Sequence, residues 1–328
     1  MKLVIATGIY PPEIGGPSYY AKELAEALTR TGHDITVCTF SAFRRYPSGI
    51  RHITYFWHVV RAARDARAII ALDTFSVGFP GFVASILTGV PIIIRTGGDF
   101  LWESFVNRTN EPIGLSEFYA TDHEFTFKER LIWSITRLVV RRATMVFSTA
   151  YQRDLWIDAY RIEKPTHIIA NAIESQLPSY PPTRKNFLWY VRDVGVKNGP
   201  RVKEAFALAQ KVHPDIELDT GHVTKEELLK RMAACYAVIL PSLSEISPNY
   251  IFDGLRFKKP FIVTAECGQA ELLEPYGTLV DPTNVNRMAD VFCMLATDEG
   301  YEEAKAKAEH FASIRTYDAV AEDFLQLL

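Results

Sequence analysis

Residues 237–257 read AVILPSLSEISPNYIFDGLRF, and this segment decides the fold. The apolar, β-branched run 237–240 predicts a buried strand, which Pro241 ends in a turn. Pro248 then marks the entry to an apolar helix over 250–257. In open α/β folds, ligands bind at the carboxyl ends of parallel strands. The segment therefore predicts a parallel α/β domain with a ligand-binding edge.

The same alternation of short β-branched runs with helical stretches extends through the whole chain. It is typical of parallel strands joined by crossover helices. Strands are predicted at 3–7, 35–40, 68–72, 91–95, 144–148 and 166–170, and then at 187–191, 216–218, 237–240, 261–264 and 278–280. The predicted fold class is α/β, with two Rossmann-like domains.

Length and proline content predict where the domains divide. The 328 residues exceed what one ordinary core accommodates. Pro178, Pro181 and Pro182 exclude a regular element from a polar stretch between the two strand sets. We expect a first domain at 1–174, a linker at 175–186, a second domain at 187–308, and a C-terminal helix at 309–328. That helix caps the second domain or crosses back to the first.

Composition excludes several classes of protein. A net charge of -3 provides no overall positive field for a nucleic-acid backbone, so nucleic acid is not expected as a partner. The four cysteines lie far apart, which argues against a disulfide framework or structural zinc. No apolar run approaches the roughly 18 residues of a membrane-spanning helix. We expect a cytoplasmic protein, either free or at the inner face of the membrane.

Two basic stretches carry apolar residues at helical spacing. In 128–142 the apolar face is predicted to hold Leu131, Ile132, Ile135, Leu138 and Val139, and in 51–67 it holds Ile53, Phe56, Trp57 and Val60. Helices that pack on a Rossmann sheet show this stripe, and so do helices that lie on anionic lipid. Core packing is favoured, and peripheral membrane contact is the alternative.

Two loops carry groups suited to a phosphorylated ligand. Gly15 and Gly16 follow the first strand, where a helix N-terminus binds anions or simply begins after a tight turn. The dinucleotide fingerprint G-x-G-x-x-G is missing, which argues against a dehydrogenase. Arg192 and Lys197 follow the first strand of the second half, and two such cations clamp a diphosphate or belong to the solvated surface.

The order of these motifs carries a resemblance to a known family. The Gly-Gly loop, R-x4-K at Arg192 and Lys197, and P-S-x-x-E-x7-D ending at Asp253 resemble the retaining glycosyltransferases of family-4 type, which have the GT-B fold. Further matching positions are Gly98-Asp99, Trp102-Glu103, Asn171-Ala172-Ile173, Thr264, Gly268 and Glu271. The resemblance implies two Rossmann-like domains that face a cleft, and a hexosyltransferase that works in polysaccharide biosynthesis.

The resemblance also implies roles for individual residues. The catalytic set is Glu245 at the donor sugar, Arg192 and Lys197 at the diphosphate, and Asp99 near the reacting sugar. The donor-binding set is Gly15, Gly16, Gly221, Val223, Ser247, Pro248, Asn249 and Asp253. The implied donor is a UDP- or GDP-linked sugar, and the implied acceptor is either a glycan or a lipid-linked molecule. No cofactor is expected, and because no D-x-D triplet occurs, no metal is expected either.

Two departures from the family pattern keep other functions open. Asp253 replaces the usual Glu, and only 23 residues separate Lys197 from Gly221, so the second domain is expected to be shortened. The alternatives are a non-catalytic descendant that binds a nucleotide or a partner, and a nucleotide-sugar epimerase. In a hydrolase, Glu245 and Asp99 would face each other across a cleft, but Arg192 and Lys197 would then have no role.

Overall fold

A computed structural model describes residues 1–13 and 15–328, with the side chain of Ser48 left out of the description. It contains two sheets in which all paired strands are parallel. Each of the eleven predicted strands is present, with ends that differ by two residues or fewer. The chain divides into two compact units, each built around one sheet. The predicted α/β class with two Rossmann-like halves is confirmed.

The first unit comprises Met1–Leu101, Glu124–Ala172 and Arg315–Leu328. Its strands are β1 (Lys2–Thr7), β2 (Asp34–Thr39), β3 (Ala68–Ala71), β4 (Ile92–Thr96), β5 (Thr144–Phe147) and β6 (Thr166–Ile168). Its helices are α1 (Gly16–Arg30), α2 (Ser48–Ala63), α3 (Gly78–Thr88), α6 (Phe127–Val140), α7 (Ala150–Tyr160) and α14 (Tyr317–Leu325). The sheet order is β2-β1-β3-β4-β5-β6. Leu3 and Ile5 of β1 share a core with Leu24 of α1 and Phe324 of α14, so the last helix completes this unit.

The second unit comprises Trp102–His123 and Ile173–Ile314. Its strands are β7 (Lys185–Trp189), β8 (Ile216–Thr220), β9 (Ala237–Leu240), β10 (Phe261–Thr264) and β11 (Thr278–Val280). Its helices are α4 (Phe100–Thr109, entered from the first unit), α5 (Leu115–Ala120), α8 (Gly199–Val212), α9 (Lys225–Ala234), α10 (Asn249–Arg256), α11 (Ala270–Leu273), α12 (Val285–Ala296) and α13 (Asp298–Glu309). The sheet order is β11-β10-β9-β7-β8.

The compact units differ from the predicted domain ranges in three places. Residues 102–123 group with the second unit although they were assigned to the first domain. Strand β7 begins at Lys185, inside the predicted linker 175–186. Of the predicted C-terminal segment 309–328, only Arg315–Leu328 groups with the first unit. Chain order alone misses these assignments because they depend on packing between distant segments.

The predicted apolar faces of two helices are divided between core and surface. In α6, Ile132 and Val139 are buried, whereas Leu131 and Leu138 are exposed. Neighbouring helical positions differ by about 100° around the axis, so the core takes one member of each pair. In α2, Val60 is buried in the core and Phe56 is half-buried, whereas the side chains of Ile53 and Trp57 are exposed. No helix among the described residues has the length and apolar character needed to cross a membrane.

Candidate functional site

The candidate site of the second unit lies where the strand order of its sheet reverses. Strand β7 pairs with β8 on one side and with β9 on the other side, so the chain changes direction across the sheet between β8 and β9. In open α/β sheets, ligands bind at the carboxyl edge where the strand order reverses. Arg192 and Lys197 lie on the first of these loops, and Glu245 lies on the second. The topology therefore brings three of the predicted catalytic residues to one sheet edge.

Lys197 and Glu245 form an ion pair across the switch point. Both side chains are largely shielded from solvent, so the pair is screened less than a surface pair would be. Lys197 ends a short 3₁₀ turn that begins at Gly195. A lysine held in this way is a positive point charge, and its three donors suit an incoming anion.

Asn198, which the sequence did not single out, ties this turn to two other strand ends. Its side-chain amide donates to the carbonyl of Pro241 at 3.2 Å and to that of Pro282 at 2.7 Å. Its backbone is left-handed, with φ of 61°, a conformation that asparagine tolerates better than most residues. Leu243 N–H also donates to the carbonyl of Val196 at 2.9 Å. These bonds fix the Lys197 loop against the Glu245 loop.

The backbone of Glu245 is fixed by the loop that follows β10. Its N–H donates to the Glu266 carbonyl at 2.9 Å, and its carbonyl accepts from Gly268 N–H at 2.8 Å. The carboxylate of Glu266 in turn accepts from the backbone N–H of Ser116 at 2.7 Å. The segment 102–123 thus contacts the same edge of the second unit.

Arg192 is the most exposed of the predicted catalytic residues, with 69% of its side chain accessible. Its guanidinium lies 3.7 Å from the carboxylate of Glu103 on α4. On the same helix, the side-chain oxygen of Asn107 accepts from Gly195 N–H at 2.8 Å. An exposed guanidinium that faces one carboxylate at this distance remains accessible to a phosphate from solvent.

Ser247, Pro248 and Asn249 stand at the start of α10. Pro248 is the N-terminal flanking residue and is buried, whereas Asn249 is exposed. The hydroxyl of Ser247 donates to Gln269 Oε1 at 3.0 Å. No side chain caps this helix among the described residues, so the partial positive charge of its first turn is not offset by a carboxylate there.

Asp253, one turn further along α10, is enclosed by two cations. Its carboxylate forms an ion pair with Lys225 of α9 and lies 3.7 Å from the guanidinium of Arg256. Arg256 also pairs with Glu174 at 2.6 Å. Burial raises the pKa of Asp253 above its usual value, and the charge of Lys225 opposes that rise. The motif that predicted Asp253 spans 241–253 and includes neither Lys225 nor Arg256.

Gly221 and Val223 follow β8, next to the aromatic side chain of Tyr190. A Cβ atom added at Gly221 would lie 3.2 Å from the Tyr190 ring, so glycine allows the two loops to approach closely. The Tyr190 hydroxyl donates to Asp219 at 2.7 Å and accepts from Arg231 at 2.9 Å. This network fixes an aromatic ring beside the loop that was predicted to meet the nucleotide base.

The remaining predicted residues, Gly15, Gly16 and Asp99, belong to the first unit. Gly16 is the first residue of α1, and a Cβ atom added there would meet nothing within 4 Å. Gly15 precedes the helix with φ of 154°. Asp99 is buried after β4, and its carboxylate accepts from Trp156 Nε1 at 2.8 Å. This hydrogen bond from the indole of Trp156 occupies one carboxylate oxygen of Asp99 and fixes the orientation of its side chain.

Metal-ligating side chains do not cluster in the described part of the chain. Over residues 1–13 and 15–328, no three His, Cys, Asp or Glu side chains are placed to hold a metal ion. A metal-independent site stays a prediction.

Comparison with protein families assigns the part of the chain that holds most of this site. Residues 166–298 match the family model of the glycosyl transferases group 1. The matched stretch covers less than half of the chain. It contains Arg192, Lys197, Glu245 and Asp253. The predicted resemblance to GT-B glycosyltransferases is thereby confirmed, and glycosyl transfer is supported as the general activity. No curated protein sequence matches the chain.

Solved structures of glycosyltransferases share the fold over nearly the full chain. Sucrose-phosphate synthase from Thermosynechococcus elongatus aligns with a TM-score of 0.74 at 13% identity, covering 99% of this chain and 98% of its own. WaaG, a glycosyltransferase involved in lipopolysaccharide biosynthesis, gives 0.71 at 14% identity, with 99% of each chain covered. The lipopolysaccharide outer core galactosyltransferase WaaB gives 0.62 at 11% identity, with 100% of both covered. At these identities the likeness establishes the GT-B fold.

Proposed function

We propose that the chain is a retaining hexosyltransferase that uses a UDP- or GDP-linked sugar without a divalent metal. The observation that carries the proposal is the Lys197–Glu245 pair at the switch point of the second sheet, with Arg192 on the same loop as Lys197. A cation and a carboxylate held side by side suit a donor that has an anionic diphosphate and a hydroxylated sugar.

The two cations stabilise the leaving group. When the bond between the anomeric carbon and the diphosphate oxygen breaks, negative charge develops on the β-phosphate. Arg192 offers a planar fork and Lys197 a point charge, and the uncapped start of α10 adds its dipole. The acceptor hydroxyl forms the new bond to the anomeric carbon on the same face, and its proton leaves with the diphosphate.

Glu245 and Asp253 hold the two ends of the donor. In this proposal Glu245 accepts from sugar hydroxyls, and Asp253 faces the ribose, either directly or through a water molecule. Gly221 and Val223 lie beside the base, and Ser247, Pro248 and Asn249 place the N-terminal end of α10 beside the phosphates. Gly15 and Gly16 of the first unit are assigned to donor binding in this proposal, and Asp99 to the reacting sugar. A glycan or lipid-linked acceptor and a place in polysaccharide biosynthesis belong to the same proposal.

The test is donor turnover with analysis of the anomeric product. The chain is incubated with UDP- and GDP-linked hexoses in the presence of EDTA, and slow transfer to water is followed by NMR. We expect release of one nucleoside diphosphate and a first-formed sugar with the anomeric configuration of the donor. Lys197→Ala should lower kcat by about 100-fold or more, as for loss of a group that stabilises transition-state charge.

Other products would contradict the proposal in distinguishable ways. An inverted anomer would exclude retention, and an epimerised nucleotide sugar would identify an epimerase. Binding without turnover of either donor would favour the non-catalytic descendant, for which the enclosure of Asp253 by Lys225 and Arg256 is the supporting observation.

A further inference from the structure

An unusual share of the exposed apolar surface lies on three helices of the first unit. Sixteen large apolar side chains are exposed over the described residues, and eight of them lie on α2, α3 and α6. Single exposed apolar residues are normal, but a concentration of this kind marks an interaction surface. Helix α3 packs against both α2 and α6, so the three helices form one layer. We call their exposed side the α2-α3-α6 surface.

The apolar residues of this surface form stripes separate from the core. On α2, Ile50, Ile53 and Trp57 recur at the spacing of one helical face, and Trp57 is 56% exposed. On α3, the exposed pair is Ile86 and Leu87. These side chains do not serve the core of the unit, because the buried face of α2 is formed by other residues, such as Tyr55 and Val59.

Helix α6 shows the same separation. Phe127, Leu131 and Leu138 are spaced by four and seven positions, and Phe127 is 85% exposed at the start of the helix. Ile132 and Val139 face the core instead. Covering an aromatic ring that is this exposed would remove apolar area from water, which is favourable.

The charges on these helices are almost all positive. Helices α2 and α3 contain no acidic residue, and the one acid of α6, Glu129, is buried in a capping box with Thr126. Arg61 of α2 and Lys128, Arg130 and Arg137 of α6 are exposed. Within the described part of the chain, Lys128 and Arg137 form no ion pair. The surface therefore joins apolar side chains to exposed cations, of which Lys128 and Arg137 have no acidic partner among the described residues.

We infer that the α2-α3-α6 surface docks the first unit onto an anionic lipid bilayer. Trp57 and Phe127 enter the interface between headgroups and acyl chains, and the arginines and lysines meet the lipid phosphates. A protein partner that covered the surface would need acidic residues arranged around an apolar centre. An anionic bilayer presents negatively charged headgroups above apolar acyl chains at every point of its surface. The inference rests on these helices alone and is independent of which sugar the second unit binds.

The test is flotation of the full chain with vesicles. Vesicles of phosphatidylcholine with about one third phosphatidylglycerol should carry the protein at low salt, and pure phosphatidylcholine vesicles should carry at least about five-fold less. The double variant Ile53→Ser with Phe127→Ser should lose at least ten-fold in bound fraction. The matched control, Val212→Ser with Ile314→Ser, alters two exposed apolar residues of the second unit and should bind as wild type does.

A second readout reports insertion directly. Lipids brominated on the acyl chain should quench the tryptophan fluorescence of wild type, and Trp57→Phe should remove most of that quenching while vesicle binding persists. Equal flotation of wild type and the Ile53/Phe127 variant would overturn the inference. So would wild-type binding that ignores phosphatidylglycerol, or a dimer in solution that the variant dissociates and that does not bind vesicles.

Discussion

At the residue scale, Lys225 sets the charge balance of the carboxylate that the family pattern places at the ribose. Asp253 is one methylene shorter than the usual Glu, and it lies between Lys225 and Arg256. Burial favours the neutral form of the carboxyl, and the lysine opposes this. Removal of Lys225 should therefore cost stability through Asp253.

We expect Lys225→Met to lower the free energy of unfolding by about 2 kcal/mol at neutral pH, because it leaves a buried carboxylate with the guanidinium of Arg256, at 3.7 Å, in place of two cations. The folded-state pKa of Asp253 is raised above its unfolded value, and the variant raises it further. A raised carboxyl pKa disfavours the folded state at pH above it, so the deficit should shrink as pH falls through that pKa.

Urea unfolding of wild type and Lys225→Met between pH 4.5 and 8 measures this dependence. Asp253→Asn added to Lys225→Met removes the charge and should restore most of the lost stability. A deficit that is constant with pH, or that persists in the double variant, would show that Lys225 acts through packing instead.

At the element scale, the contact between α10 and β9 positions the donor edge. Gly254 of α10 lies against Val238 of β9, and a Cβ atom added at Gly254 would stand 2.8 Å from Val238 Cγ2. Valine has a stiff side chain in a buried strand, so it cannot move aside cheaply. The glycine thus lets α10 carry Asp253 close to the sheet.

Gly254→Ala should destabilise the second unit by about 1–2 kcal/mol, because overpacking outweighs the gain of about 1 kcal/mol in helix propensity. It should also weaken nucleotide binding, since α10 moves away from the sheet. Gly199→Ala at the start of α8 is the control, because its added Cβ atom would make only an ordinary contact of 3.4 Å with Trp189. Equal thermal stability of the two variants would contradict this account.

The strands were predictable from sequence, whereas the partners at the site were not. Buried parallel strands are short β-branched runs bounded by turn residues, a local signal that identified all eleven. Lys225 meets Asp253 across 28 positions, and Asn198 meets Pro282 across 84. Such contacts depend on how helices return to the sheet, which no local pattern specifies. The division of apolar residues in α6 between core and surface was missed for the same reason.

At the scale of the whole molecule, the two units have separate cores. Phe324 of α14 packs with Leu24 of α1 in the first unit, while Phe187 and Phe292 belong to a core of the second. Each unit thus holds enough buried apolar surface to unfold as its own transition.

Calorimetry should therefore resolve two thermal transitions. Phe324→Ala should lower only the first unit's transition, since loss of a buried phenyl ring costs about 3–5 kcal/mol. Asp318 lies on α14, as Phe324 does, and forms an exposed ion pair with Arg30 of α1. Asp318→Ala removes this pair and should cost less than about 1 kcal/mol. A nucleoside diphosphate should raise only the other transition. A single transition that all three changes shift together would contradict separate units.

The central claim is that the switch point of the second sheet binds a nucleoside diphosphate through Arg192 and Lys197. Calorimetric titration with UDP and GDP, with and without EDTA, tests it most directly. Arg184 and Arg192 flank the two ends of β7, and both side chains are exposed, so Arg184→Ala is a matched control. We predict micromolar binding of one nucleotide that EDTA leaves unchanged, that Arg192→Ala weakens about ten-fold or more, and that Arg184→Ala preserves. Binding that requires a metal ion, or that both variants weaken equally, would contradict the account.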